Sequence, residues 1–331
     1  MPDPRLDVLC IGNAIVDVIA NATDDFLRAE GLVKGSMRLI DAKEAERLYA
    51  RMGPAHQVSG GSAGNTAAGV TALGGRAGFI GQVAPDQLGE FYRHDLTSAG
   101  VEFITPASDV GEPTARSMIL VTPDGHRTMN TFLGAAQHLP KSALDEQQIR
   151  DSAILYLEGY LWDPETPRYA MVRAIEVARE AKRKVAFTLS DTFCVDRHRG
   201  GFNRLLDEGR IDILFANQAE VEALAGVAHL ETAVAAIAPK LDTLVVTRSE
   251  DGALATRNGE RADVPAEPIG ELVDTTGAGD LFAAGFLLGA ARGHSLEQSL
   301  RLGAICAAEV IQHYGARPET SLKTLAGDLV A

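Results

Sequence analysis

Short apolar runs recur along the chain, and their lengths predict strands. From about residue 150 onward they are Ile154-Leu155-Tyr156-Leu157, Val185-Ala186-Phe187-Thr188-Leu189, Ile213-Leu214-Phe215-Ala216 and Leu244-Val245-Val246-Thr247. Between them lie helix-period stretches over residues 169–183, 218–225 and 231–241. Strand and helix in alternation predict an α/β fold: a doubly wound, mostly parallel sheet flanked by helices. Val8-Leu9-Cys10-Ile11 reads as one more buried strand. In such sheets ligands gather at the carboxyl ends of the strands, and here Ser190-Asp191, Asn217 and Thr247 sit at those ends.

The first half is less regular. Ser117-Met118-Ile119-Leu120-Val121-Thr122 leads through Pro123-Asp124-Gly125 into Arg127-Thr128-Met129-Asn130-Thr131-Phe132, a β-hairpin by its turn residues and partial alternation. Hairpins inserted into an α/β frame commonly form a small sheet over a site. A small β-sheet lid is therefore expected, built from discontinuous segments at about 18–44 and 107–135. No repeat, low-complexity tract or linker divides the chain, so residues 1–331 read as one domain.

Composition narrows the function. A formal net charge of −14 argues against a general nucleic-acid or anionic-membrane surface, so any phosphate site must be local. Cys10, Cys194 and Cys306 are far apart and have no His pair at metal spacing, which predicts neither disulfides nor zinc and suits reduced cytosol. The longest apolar run, residues 281–291, is too short to span a bilayer.

The richest local signal is Asp274-Thr275-Thr276-Gly277-Ala278-Gly279-Asp280, running into Leu281-Phe282-Ala283-Ala284. Small residues at a helix start leave N–H groups uncovered where peptide dipoles converge, which suits an anion. Asp280, in the first turn, adds a carboxylate able to take a proton from a hydroxyl, and the pairing suggests phosphoryl transfer to an alcohol. The same residues also read as a tight turn with an Asp cap. A dinucleotide fingerprint would need glycine at 282, which is Phe, and no Gly-Lys-Ser/Thr of a Walker A loop occurs. A second cluster, Gly60-Gly61-Ser62-Ala63-Gly64-Asn65, offers exposed backbone beside Ser62 and Asn65 to a hydroxylated ligand; a tightly packed turn accounts for it equally. Gly12-Asn13-Ala14-Ile15-Val16-Asp17 ends a strand with a carboxylate that can accept hydrogen bonds from two vicinal hydroxyls, as in ribose.

Taken together and in this order, these motifs resemble those of the PfkB-type (ribokinase-like) carbohydrate kinases. Residues 60–75 look like that family's first signature, and Asp274-x-x-Gly277-Ala278-Gly279-Asp280 looks like its second. The stretches Gly12-Asn13-x-x-x-Asp17, Gly61-Ser62-x-x-Asn65, 123–134 and 190–197 are most similar to the adenosine and nucleoside kinase branch. The resemblance implies Asp280 as base for a 5′-hydroxyl, with the N–H groups of Gly277, Ala278 and Gly279 as anion hole and Arg127 reaching the phosphates. It implies Asn13, Asp17, Gly61, Ser62 and Asn65 as substrate contacts, with Met129, Tyr160 and Leu161 near a base. For ATP it implies Asn217, Thr247, Gly252 and His313, and for Mg²⁺ it implies Glu220, through water. The carbonyls of Asp274 and Thr276 are candidates for a monovalent cation such as K⁺. The chain departs from the family at Ser249, which stands where the T-x-G-x-x-G nucleotide loop has its middle glycine. The expected partners are a nucleoside and ATP, in a monomer or homodimer. The alternatives are a ribose or other sugar kinase and a non-catalytic nucleoside-binding protein.

Overall fold

The computed structural model describes residues 4–330. Thirteen strands form two sheets. In chain order they are β1 (Leu6–Ile11), β2 (Ile15–Asn21), β3 (Met37–Leu39), β4 (Ala55–Gly60), β5 (Ala77–Ile80), β6 (Ala115–Val121), β7 (Arg127–Phe132), β8 (Ser152–Glu158), β9 (Lys184–Thr188), β10 (Ile213–Asn217), β11 (Thr243–Thr247), β12 (Ala253–Arg257) and β13 (Glu260–Val264).

The larger sheet runs β13-β12-β11-β10-β9-β8-β1-β5. Every pairing from β11 to β5 is parallel, and only the β12 and β13 edge is antiparallel. Its central strands are apolar on both sides because helices cover both faces. Period-two alternation sends Val8, Cys10, Ile154 and Tyr156 into one core, and Leu9, Ile11, Leu155 and Leu157 into the other. The first core is closed by the Ala278–Ala291 helix, apolar all round, which packs on the sheet between the Ser62–Ala72 and Leu296–Val310 helices. The second core lies under the helices Glu165–Glu180, Thr192–Asp207, Gln218–Ala225 and Leu230–Ile237. Of the expected helices, 218–225 is reproduced residue for residue; 169–183 begins earlier, directly after Pro164, and 231–241 ends in a short 3₁₀ turn.

Register aligns the carboxyl ends. Ile11 pairs with Leu157 and Ile80, Glu158 with Thr188, and Asn217 with Thr247. The polar residues that follow these strands therefore emerge along one edge.

The smaller sheet runs β3-β7-β6-β2-β4. It takes strands from residues 15–21, 37–39, 115–121 and 127–132, and also from β4, which sequence did not single out. Its outer face is covered by the chain's own helices Asp24–Ala29 and Ala42–Arg51, through Leu27, Leu32, Ala45, Leu48, Met118, Leu120 and Phe132. Its inner face carries Asp17 and Ile19 of β2, Ile119 of β6, Arg127 and Met129 of β7, and Met37 of β3. Among the described residues no single helix is long and apolar enough to cross a membrane.

Because the outer-face core is small and local, it should fail by itself. Leu48→Ala removes a fully buried side chain, at an expected cost of about 2–5 kcal/mol. Hydrogen exchange should then speed up in the smaller sheet and its two helices while β8 to β11 keep their protection. Uniform loss of protection across both sheets would show that they unfold as one unit.

Candidate functional site

Asp280 sits in the first turn of the Ala278–Ala291 helix, and its carboxylate is held from a distant part of the chain. Ser62 Oγ donates to Oδ1 at 2.6 Å and Asn65 Nδ2 to Oδ2 at 2.9 Å. Thr66 Oγ1 contacts the Asp280 carbonyl at 3.2 Å. Ser62 and Asn65 are three apart on the Ser62–Ala72 helix and so share its face. They were expected to meet a hydroxylated ligand; in the structure they hold the carboxylate.

Two glycines make this approach possible. Gly61, at φ +85°, follows β4 and opens the helix, where a Cβ would overlap the Asn13 carbonyl. Gly277, at φ +80°, opens the Asp280 helix, where a Cβ would overlap Ala316. Both backbones lie in the left-handed region that favours glycine. Of the three N–H groups expected to meet an anion, that of Ala278 donates to the Thr275 carbonyl at 3.2 Å. The N–H groups of Gly277 and Gly279 have no such intramolecular acceptor among the described residues.

The inner face of the smaller sheet meets this helix start. Arg127, its side chain 7% exposed, forms an ion pair with Asp274 and donates to Thr276 Oγ1 at 2.7 Å. Its Nε and Nη2 are buried without an acceptor. Asp274 is saturated by this pair, by the Thr276 N–H at 3.0 Å and by the Gly315 N–H at 2.9 Å, so its carboxylate has a structural task beside any role of its carbonyl. Asp17 projects from the same face two strands away. Met129 lies half-buried beside Arg127 on β7.

On the nucleotide side, Asn217 and Glu220 form a reciprocal capping box. Asn217 Oδ1 accepts from the Glu220 N–H at 2.8 Å, Glu220 Oε2 accepts from the Asn217 N–H at 2.9 Å, and Asn217 Nδ2 donates to Glu220 Oε1 at 2.7 Å. Thr247 ends β11 next to Asn217. The following loop keeps a left-handed bend at Ser249, φ +51°, and another at Gly252, φ +81°. The serine that replaces glycine thus adopts the glycine conformation at a steric cost. No group of three or more His, Cys, Asp and Glu is placed to hold a metal ion among the described residues, so a divalent ion here would depend on water and ligand oxygens.

Four of the expected site residues are engaged within the protein. Leu161 is fully buried in the second core, and the neighbouring Trp162 packs on Phe187 and Phe202. Tyr160 is partly exposed and donates its hydroxyl to the Ser190 carbonyl at 3.1 Å. His313 sets Nε2 against Glu309 Oε2 at 3.2 Å. Asn13 is 5% exposed, with its N–H and Nδ2 given to Glu158 Oε1 at 2.7 and 2.6 Å.

Two residues of the site went unnoticed in the sequence. Glu158, fully buried at the end of β8, accepts from Asn13 and, through Oε2, from the Ala63 N–H at 2.9 Å. It thereby caps from outside a helix that has no side-chain cap of its own. Its position at a strand end, like that of Asp17, was a usable signal. Arg317 donates to the Ser59 carbonyl at 2.6 Å and was assigned no role.

Burial dominates the electrostatics. It raises Asp17 to about 7 against the opposing charges of Arg127 and Arg317, and Glu158 to about 7 against its three N–H donors. Glu220 is also pushed up to about 7 by burial, and burial raises Asp280 against the hydrogen bonds from Ser62 and Asn65, which favour its charged form. Raised folded-state values mean that the folded chain binds more protons than the unfolded chain between the ordinary carboxyl range and 7. The stability these groups add is present below that window and is lost as pH rises through it. Without ligands, the melting temperature should therefore be higher at about pH 5.5 than at about pH 8, and Glu158→Gln should flatten the difference in scanning calorimetry. A melting temperature that climbs over this range would contradict the raised values.

The chain matches the pfkB family carbohydrate kinase over residues 5–323. It is 28% identical to adenosine kinase of Saccharomyces cerevisiae, across 93% of this chain and 95% of that one. Among solved structures it is similar to adenosine kinase from Sinorhizobium meliloti, with a TM-score of 0.90 and 50% identity over 97% of this chain and 98% of that one. It is equally similar to a probable sugar kinase protein from Rhizobium etli CFN 42, with a TM-score of 0.91 and 48% identity over 98% of both. With a ribokinase-like fold, this chain belongs to the pfkB family of carbohydrate kinases, phosphotransferases that act on an alcohol of a nucleoside or sugar.

Proposed function

We propose that this kinase transfers the γ-phosphoryl of ATP to the 5′-hydroxyl of a nucleoside, adenosine above all. The observation that carries the reading is Asp280, fixed through both oxygens by Ser62 and Asn65 beside the unengaged N–H groups of Gly277 and Gly279. A carboxylate so held accepts the hydroxyl proton as the oxygen attacks the γ-phosphorus, and the bond to the ADP oxygen breaks. The two N–H groups meet the charge on the transferred phosphoryl. Arg127, with two buried N–H positions lacking acceptors, supports a second phosphate contact from the lid.

Asp17 accepts the two ribose hydroxyls across the site. A nucleoside is favoured over a free sugar by the apolar inner face of the lid. Met37 and Leu39 are 51% and 60% exposed there, and Ile19 and Met129 lie beside them. A cleft of about 430 Å³, lined by Leu39, Thr131, Leu133 and Gln137, adjoins that face and suits a flat base. The adenosine kinase relatives support the same choice.

Oxygen donors at Asn217 and Glu220 suit a hard ion, and Mg²⁺ with its waters would neutralise the ATP phosphates there. Thr247 and Gly252 line the nucleotide loop, and the Asp274 and Thr276 carbonyls are the candidates for K⁺. Closure of the lid excludes water, so ATP is transferred and not hydrolysed.

Phosphate transfer from ATP to adenosine, inosine, guanosine, ribose and fructose tests the reading. Adenosine should be turned over best, Asp280→Asn should lose about 10²–10⁴ in kcat, and Asp17→Asn should raise KM more than it lowers kcat. Comparable turnover by Asp280→Asn would sink the assigned base, and fructose as the best acceptor would make this a sugar kinase.

A further inference from the structure

Arg317 follows the turn after the Leu296–Val310 helix, and its partners lie in the first quarter of the chain. Nη2 donates to the Ser59 carbonyl at 2.6 Å and to Ser59 Oγ at 2.8 Å, while Nη1 reaches the Gly64 carbonyl at 3.3 Å. Ser59 immediately precedes the Gly60-Gly61 turn, and Gly64 lies in the first turn of the helix whose Ser62 and Asn65 hold Asp280. Ser59 also gives its N–H and Oγ to Asp95 Oδ2, at 2.9 and 2.6 Å. One planar guanidinium therefore joins the C-terminal segment, β4 and the start of the Ser62–Ala72 helix. A point-charge ammonium lacks the fork to bridge both carbonyls as well.

Its charge stands in an acidic neighbourhood. Asp17 faces it from β2, Asp280 from the helix beneath, and Tyr92 and Asp95 from the Gln87–Ser98 helix. Glu158 and Tyr156 of β8 and Cys10 of β1 complete the surroundings of this group of acids. The other cation nearby, Arg127 of β7, is already paired with Asp274. Arg317 lowers both Asp17 and Asp280 against the effect of burial.

We propose that Arg317 is a positioning residue that clamps β4 to the start of the Ser62–Ala72 helix, whose Ser62 and Asn65 hold Asp280, and that it places its guanidinium charge within the acidic cluster to which Asp280 belongs. The proposal rests on the kinase reading above for the role of Asp280, and it concerns a residue outside the motifs that define the site. A protonated Asp280 cannot accept the hydroxyl proton, so the acidic limb of kcat/KM follows its ionisation.

The test compares wild type, Arg317→Gln, which keeps an N–H donor without charge, and Arg317→Lys, which keeps charge without the fork, using ATP and adenosine. In Arg317→Gln the acidic limb should move up by about one pH unit, with kcat at low pH falling more than KM rises. In Arg317→Lys the limb should stay in place. A limb unmoved in Arg317→Gln overturns the proposal, as does an equal shift in Arg317→Lys, which would assign the effect to geometry alone. Carbon-13 titration of aspartate-labelled wild type and Arg317→Gln, with Asp280→Asn identifying the signal, provides a measurement that needs no activity. The Asp280 signal should titrate about one pH unit higher in Arg317→Gln, and an unchanged titration overturns the proposal. If adenosine and every other acceptor fail while this titration shows the shift, the kinase reading falls and the charge role of Arg317 stands.

Discussion

The structure depends on one carboxylate shared between two helix starts more than two hundred residues apart. Asp280 opens the most apolar helix of the chain, and both its oxygens are taken by Ser62 and Asn65 of another. A carboxylate withdrawn from water is costly unless its lone pairs are filled, so the two helices must approach closely. Close approach in turn demands the small residues seen along both helices and the left-handed turns at Gly61 and Gly277. The constraint that packs the first core is the same one that aims this carboxylate.

Glu158 extends this logic to the sheet. Its three hydrogen bonds bind the end of β8 to Asn13, just before β2, and to the first turn of the Ser62–Ala72 helix. Asp17 lies four residues beyond Asn13 and Ser62 one residue before Ala63. The carboxylate proposed to hold substrate and the side chains that hold the base are thus referenced to one buried group. Local flexibility in the smaller sheet leaves that reference unchanged, because Glu158 belongs to the rigid parallel sheet.

How far sequence reaches here follows from the range of the interactions. The four strands from β8 to β11 were legible because burial on both faces makes them continuous apolar runs, and the Gln218–Ala225 helix because Asn217 and Glu220 mark its start locally. β12 and β13 mix polar and apolar residues at a sheet edge, and the Thr192–Asp207 helix carries Gly200-Gly201 and a run of charges, so neither has a clean period. Tyr160 and Leu161 are adjacent in a single turn yet one is half-open and the other sealed, a difference set by packing against Phe187 and Trp162 that no local pattern contains. Asp280 was found through its glycine turn. Arg317 was not, because all its partners lie far away in sequence.

The ligand-free site combines two unsatisfied tendencies. Asp17, Glu158 and Glu220 are driven by burial toward protonation near neutral pH, while Arg127 keeps two buried N–H positions without acceptors. Hydroxyl donors at Asp17 relieve the first, and a phosphate at Arg127 relieves the second. Each ligand of the proposed reaction therefore supplies what the other does not, and a site holding only one stays partly unsatisfied. Arg127 lies on the same sheet face as Asp17 while pairing with Asp274 on the opposite wall, so closing the smaller sheet over both ligands satisfies these groups together. Electrostatic imbalance in the empty site thus favours closure when the acceptor alcohol and the phosphate donor are both present, which is the condition under which transfer outcompetes hydrolysis.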